Sequence, residues 1–378
     1  MVFAIELWGL IAGHLRRGEL LPMLLVDRTR ALVAERFIYR KLSLRHNSDG
    51  RLALLKPRVA LALFAYLASP RGRHAALTVQ DIDAVWTTEQ DNLEVSKMLC
   101  DALVQLDNLR VLRTSTSVDR YDLERLLAFH LWPELRKVYI DSAEAPRSFI
   151  TRHPRLEAFR ACLGVRPDGH PRTIGATCLS SVCVTDYAEC EYVFAVQQPA
   201  LVRVDVMSQL AMPAALSLVL NRSPSIRQLN FAWTESFDVD RMLTEVALPV
   251  RQQIASVGVW IFPVSDLAYL TGVNTEADAV TQILRQLDAV FPSLSHLSIQ
   301  YIGVFQDSYR DQLAISQKVA STFRRLLSDM CTSNGDLSSL RHVFLGQAIT
   351  LHCNARSELF QFHLQSQPVI ADPMYAGW

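Results

Sequence analysis

A string of the form Pro-x-apolar-x-x-apolar-x-apolar recurs along the chain and constrains its fold more than any other feature. It reads Pro133-Glu-Leu135-x-x-Val138-x-Ile140, Pro154-x-Leu156-x-x-Phe159, Pro199-Ala-Leu201-x-x-Val204-x-Val206, Pro224-Ser-Ile226-x-x-Leu229-x-Phe231 and Pro292-Ser-Leu294-x-x-Leu297-x-Ile299. Copies without the proline start at Leu109, Leu179 and Leu340. Alternation over the last five positions predicts a short strand with one buried face. Between the strings lie EVSKMLCDALVQL, DYAECEYVFAVQQ, MLTEVALPVRQQI, TEADAVTQILRQLDAVF and YRDQLAISQKVASTFRRLLSDM, all with helical spacing.

Leu135, Leu156, Leu179, Leu201 and Ile226 follow one another at 21, 23, 22 and 25 residues. One strand and one helix per about 20 to 29 residues is the leucine-rich-repeat period. A single unit cannot cover its own apolar stripe, so neighbours stack into a curved solenoid with a parallel sheet inside. Beyond Ile226 the anchors fall near Ile254, Leu294 and Leu340, as expected of longer helices or inserted loops. An open doubly wound sheet uses similar units and remains an alternative.

The opening stretch, MVFAIELWGLIAGHLRRGELLPMLLVDRTRALVAERFIYRKL, obeys a different rule. Ile5, Trp8, Ile11 and Leu15 mark one helix face, and Leu7 and Leu10 add a second. A helix that is apolar on both sides needs cover on both. Arg16-Arg17-Gly18 ends this run, and Leu20, Leu21, Leu24, Leu25 and Val26 precede Leu32, Val33, Phe37 and Ile38, with Pro22 near a helix start. Three short helices bury one set of faces on each other, and the remaining face awaits the rest of the chain or a partner. A signal peptide is not expected, because no positive segment leads and Glu6 interrupts the apolar run.

Ile5-Glu6-Leu7-Trp8, then Ile11, Leu15, Leu20-Leu21, Leu25-Val26, Arg28 and Ala34-Glu35-Arg36 with Tyr39, resembles the F-box of fungal F-box proteins. Ala4-Ile5 replaces the Leu-Pro that usually precedes the Glu, and Asp27 stands where a Ser or Cys is common. The resemblance covers residues 1 to about 44. It implies that Leu7, Trp8, Ile11, Leu15, Leu20 and Leu24 bind the Skp adaptor of a Skp-cullin-F-box ubiquitin ligase. It also implies that the following domain is an irregular leucine-rich solenoid, as in many such proteins. On the alternative reading these helices merely cap the next domain, and the chain is a repeat scaffold with no ubiquitin role.

The expected organisation is α/β: a three-helix F-box-like module (1–44), a linker (45–57) at the polar Asn47-Ser48-Asp49-Gly50 cluster, an irregular leucine-rich-repeat-like solenoid with a parallel sheet (58–365) and a tail (366–378). Within the solenoid, PRVALALFAYLASP reads as a helix and HAALTVQDI as the first strand.

Little points to catalysis. There is no phosphate loop, dinucleotide fingerprint, His-Glu-x-x-His helix or nucleophile elbow. Cys178, Cys183 and Cys190, with His170 upstream, are spaced more widely than zinc ligands usually are, and read as core thiols; no metal or cofactor is expected. An enzyme would have to draw on His130, His153, His170 or the acidic groups at Asp186, Glu189 and Glu191. Those acids read more simply as helix N-terminal residues.

Lys and Arg, 38 in all, balance 38 Asp and Glu, which gives no electrostatic reason to expect nucleic acid or an anionic membrane as partner. No apolar run reaches the length of a membrane span, and the seven cysteines lack a disulfide framework, so a cytoplasmic or nuclear location is expected. Strand alternation turns Arg136, Lys137, Tyr139, Arg160, Arg203, Arg227, Asn230 and His296 to the concave face, with Glu157 and Asp205 as opposing charges. Such a face suits an acidic or phosphorylated client segment.

Overall fold

Each recurring string folds as a turn followed by a strand. The computed structural model describes residues 8, 11, 12, 14, 15, 17–43, 47, 48, 51, 52, 57–85, 92–115, 120–164, 178–207, 212–233, 237–261, 276–301, 340–345, 349–354 and 359–364. In every described string that carries it, the proline occupies the second position of a β-turn closed by the anchor's N–H. Leu135 N donates to Trp132 O at 3.1 Å, Leu156 to His153 at 3.0 Å, Leu201 to Gln198 at 3.3 Å, Ile226 to Ser223 at 3.2 Å and Leu294 to Phe291 at 3.0 Å. Proline's fixed φ suits that position, and its missing N–H costs nothing there. The anchor is therefore the end of the turn, and the strand begins two residues later.

The chain divides into two units, Met1–Arg166 and Pro167–Trp378. In the first, α1 (Arg17–Leu20), a 3-10 turn (Leu21–Leu25) and α2 (Arg28–Ile38) lead into β1 (Lys41–Ser43). Asp27 caps α2 by accepting from Arg30 N at 2.8 Å. Then come α3 (Pro57–Ala68), α4 (Arg73–Thr78), β2 (Asp81–Val85), α5 (Asn92–Leu103), β3 (Val111–Ser115), α6 (Arg120–Phe129), β4 (Lys137–Pro146), α7 (Ser148–Arg152) and β5 (Ala158–Gly164). A two-residue pair, Asn47–Ser48 against Arg51–Leu52, stands apart from the main sheet.

The strands β1 to β5 pair in parallel and in chain order, which aligns Leu42, Ile82, Leu112, Val138 and Phe159 in one buried row. The arcs between strands are tied laterally. Asn108 Nδ2 donates to Leu77 O at 2.6 Å, Trp132 Nε1 to Leu103 O at 3.1 Å and Arg152 Nη2 to Leu127 O at 2.6 Å, each satisfying a carbonyl near the end of the preceding helix.

The second unit runs β6 (Ser181–Val184), α8 (Tyr187–Val193), β7 (Arg203–Val206), α9 (Met212–Arg222), β8 (Gln228–Ala232), α10 (Val239–Glu245), α11 (Leu248–Gln252), β9 (Ser256–Ile261), α12 (Glu276–Val290), β10 (His296–Tyr301) and β11 (His342–Leu345). These strands are parallel and in chain order. They align Val182, Val204, Leu229, Val257, Leu297 and Val343 in one row. Then β12 (Ile349–Asn354) and β13 (Leu359–Leu364) add antiparallel. Neither unit reverses its strand order, the reversal that marks a doubly wound sheet.

One backbone device repeats at nearly every junction. The carbonyl just after each anchor accepts two N–H groups from the next unit: Gln80 O from Arg110 and Val111 at 2.7 and 3.0 Å, and Arg110 O from Arg136 and Lys137 at 2.8 and 2.9 Å. Val202 O, Arg227 O, Ala255 O and Ser295 O do the same in the second unit. Each of these carbonyls thereby accepts two backbone hydrogen bonds.

Two local expectations are corrected. HAALTVQDI is not the first strand: residues 73–78 are helical, β2 begins at Asp81, and the first parallel strand is β1, inside the segment assigned to the helical module. Val79, the anchor of β2, was masked in sequence by the apolar residues on both sides of it. MLTEVALPVRQQI forms two helices rather than one, because Pro249 has no N–H to give the Glu245 carbonyl, which accepts from Asn221 Nδ2 at 3.1 Å instead. The helix expected at YRDQLAISQKVASTFRRLLSDM and the tail lie outside the described residues.

Candidate functional site

The N-terminal helices bury a small core of Ala12, Leu20, Met23, Val33, Ala34 and Ile38, with Trp8, Leu15, Leu24, Phe37 and Tyr39 packed against it. Of the six residues singled out for adaptor binding, Leu7 lies outside the described residues. Leu20 belongs to this interior, at 3% exposure. Trp8, Leu15 and Leu24 are half-buried, and the Arg30 guanidinium lies 4.3 Å from the Trp8 ring centroid, a cation–π contact. Ile11 is 42% exposed.

Apart from Ile11, the outward apolar residues of this module are others: Leu21 and Val26 are more than half exposed, and Leu25 is 89% exposed. Leu20 and Leu24 are the residues that the F-box resemblance implies, and it does not take account of the winding through Leu21–Leu25. The 3-10 winding that follows Pro22 turns the stripe. Pro22 inside a leucine run was the available signal.

The strand face is divided. Arg136 is exposed and pairs with Glu157 at 2.9 Å. Lys137 and Arg160 are half-buried, and Tyr139 is buried with the Arg113 guanidinium 4.8 Å from its ring centroid. Arg227 is exposed and donates to Gln253 O at 3.4 Å. Arg203 and Asn230, by contrast, are interior residues. Arg203 grips Asp205 through Nε to Oδ1 at 3.0 Å and Nη2 to Oδ2 at 3.1 Å, and Asn230 Nδ2 donates to the same Oδ1 at 2.6 Å. Around β7 and β8 both faces of the sheet are buried, so alternation there does not separate core from surface. His296 is half-buried and its ring stacks on that of His342 at 4.7 Å.

No family model matches the chain, and no curated protein matches it either.

The remaining titratable groups have mostly structural employment. His153 is buried, donates from Nδ1 to Phe149 O at 2.8 Å and accepts the Trp132 N–H on Nε2 at 3.3 Å, so both ring nitrogens serve the backbone. Burial lowers its pKa, against the Phe149 hydrogen bond, and Arg152 and His130 add to the lowering. His130, packed edge-on to Trp132, is lowered by burial, with Asp107 opposing. Asp186 caps α8 by accepting from Glu189 N at 2.7 Å, and the Glu189 carboxylate accepts from Thr185 N. Asp238 caps α10. Cys183 and Cys190 are buried, and burial beside Glu189 pushes the Cys190 thiol up to about 12, which suppresses the reactive thiolate. Cys178 is exposed, and His170 lies outside the described residues. Among the described residues no group of three His, Cys, Asp or Glu side chains is placed to hold a metal ion, and no helix is long and apolar enough to cross a membrane.

Proposed function

We propose that this chain is a substrate-recognition adaptor, whose N-terminal helices resemble an F-box and dock on a Skp-type adaptor of a cullin ubiquitin ligase. The observation that carries the reading is that Ile11, Leu21, Leu25 and Val26 are exposed apolar residues on a module that already has its own core. Full burial of a side chain as exposed as Leu25 gains about 1.5–3 kcal/mol, and the half-exposed Ile11, Leu21 and Val26 gain proportionately less when a protein partner covers them. The chain-ordered parallel sheet fits a leucine-rich-repeat-like client platform.

Client recognition falls to the arginines that follow the anchors, exposed at Arg136 in the first unit and Arg227 in the second and half-buried at Arg110. Arginine there offers bidentate hydrogen bonds to an acidic or phosphorylated segment. The chain itself catalyses nothing on this reading; ubiquitin transfer belongs to partner subunits.

The test is capture of the full-length protein by immobilised Skp adaptor, with Leu25→Asp and Leu21→Asp as variants. Both positions are exposed, so stability should move by no more than about 0.5 kcal/mol while capture is lost. Capture that survives both substitutions, or absence of capture by the natural sequence, refutes the reading.

A further inference from the structure

The chain's neutrality conceals a division. The first unit, Met1–Arg166, holds 25 Lys and Arg against 19 Asp and Glu, and the second, Pro167–Trp378, holds 13 against 19. Opposite net charges on two parts of one chain make separate copies attract one another.

In the first unit exposed cations gather at the turn between α3 and α4. Ser69 Oγ donates to Tyr66 O at 2.7 Å, and a Cβ on Gly72 would lie 1.8 Å from that same oxygen, so glycine alone permits the approach. The turn thereby presents Arg71 and Arg73, both exposed, on either side of Gly72, with exposed His74 next. The Tyr66 ring centroid lies 6.2 Å from that of Tyr39, which brings the end of α2, with exposed Arg36 and Arg40, to the same region. Arg40 Nε donates to Gln80 Oε1 at 3.0 Å, whereas the side chains of Arg36, Arg71 and Arg73 have no hydrogen bond or ion pair among the described residues. Leu77 is exposed one helical turn beyond Arg73, so this face of α4 is both cationic and apolar. A phosphate ligand alone would leave the leucine in water, whereas a protein surface covers both.

The second unit carries the converse. On α10, Asp240 and Leu243 are exposed three residues apart on one face, and Glu245, Ala247 and Leu248 continue the exposed surface into α11. Asp238 accepts from Arg241 N at 3.0 Å and Glu245 from Arg241 Nε at 2.7 Å, but the Asp240 carboxylate has no partner among the described residues.

We propose that this chain associates with itself head to tail, the surface of Arg71, Arg73 and Leu77 on one copy docking on that of Asp240, Leu243 and Leu248 on another. Guanidinium pairs bidentately with carboxylate, and leucine covers leucine. The two surfaces differ, so the contact is heterologous and every copy offers one of each. This proposal is independent of the adaptor reading, which rests on Ile11, Leu21, Leu25 and Val26.

The test is sedimentation velocity of the full-length protein over a range of concentrations. At an ionic strength of about 0.01 M, where charges act over about 30 Å, the mean mass should rise above that of the monomer; near 1 M, where they act over about 3 Å, it should fall back. Arg73→Glu and Leu243→Glu, both at exposed positions, should each leave a monomer. Mixed in equal amounts they should associate again, because each retains the surface that the other lacks. Lys97→Glu, on an exposed residue of α5, should associate as the natural protein does. A natural protein that stays monomeric at low salt, association that high salt leaves intact, an Arg73→Glu variant that associates unchanged, or a mixture that remains monomeric would each overturn the proposal.

Discussion

Asp205→Ala probes the interior ion pair of the second unit. Arg203 and Asp205 sit two residues apart on β7, 4% and 0% exposed, joined at 3.0 and 3.1 Å. Removing the carboxylate leaves a guanidinium in the interior without its counter-charge, and breaking one partner of a buried pair costs about 3–5 kcal/mol. Asn230 Nδ2 also loses its 2.6 Å acceptor, a further cost of about 1 kcal/mol. The sum, about 4–6 kcal/mol, rivals the whole stability of many domains. Replacing both charges, as Arg203→Met with Asp205→Leu, removes the desolvation problem and should cost less than the single change. Urea denaturation followed by tryptophan fluorescence and far-UV dichroism measures both. A loss below about 1 kcal/mol for Asp205→Ala, or a double variant less stable than the single one, would refute the claim that the pair is desolvated and mutually dependent.

Leu135→Ala, at a fully buried anchor, should lower stability by about 2–5 kcal/mol, whereas Pro133→Ala in the same turn should cost under about 1 kcal/mol; the urea midpoint separates them. Arg251 is buried and donates to the carbonyls of Val246 at 3.0 Å and Val290 at 3.2 Å, so Arg251→Met should cost about 1.5–3 kcal/mol and loosen the end of α12, seen as faster amide exchange there. His153 has a folded pKa below its ordinary 6.5. As pH falls below 6.5 the unfolded chain takes up a proton that the folded chain refuses, so stability falls by up to about 1.4 kcal/mol per pH unit until the folded imidazole also protonates. A pH series of urea midpoints should show that slope for the natural protein and a flatter one for His153→Gln.

The repeat frame was legible because it is local: an anchor, then apolar residues three and five positions on, is a statement about one short stretch. The turn before each strand was not read from the sequence, although the proline that fills its second position was the available signal. What else escaped depends on distant residues. Arg203 and Asn230 occupy positions that alternate away from the anchors, and only the burial of both sheet faces makes them interior. Leu21 and Leu25 escaped for a smaller reason, a change from 3.6 to about three residues per turn after Pro22. The stacking of His296 on His342 joins positions far apart in the chain through strand register, which periodicity along the chain does not encode.

The doubly accepting carbonyl after each anchor carries a consequence for how such chains change over generations. Successive anchors stand as little as 21 residues apart, from Leu135 to Leu156, and as much as 46 apart, from Leu294 to Leu340, yet at both of these junctions the same pair of N–H groups meets the carbonyl after the earlier anchor. Length is therefore free between frames and forbidden within them. One residue inserted between Leu135 and Val138 would swing Val138 and Ile140 onto the opposite side of the sheet, while ten inserted between Leu294 and Leu340 would leave every rung where it stands. A lineage built on this grammar can enlarge or trim one arc at a time, trying new surfaces without rewriting the sentence that holds them.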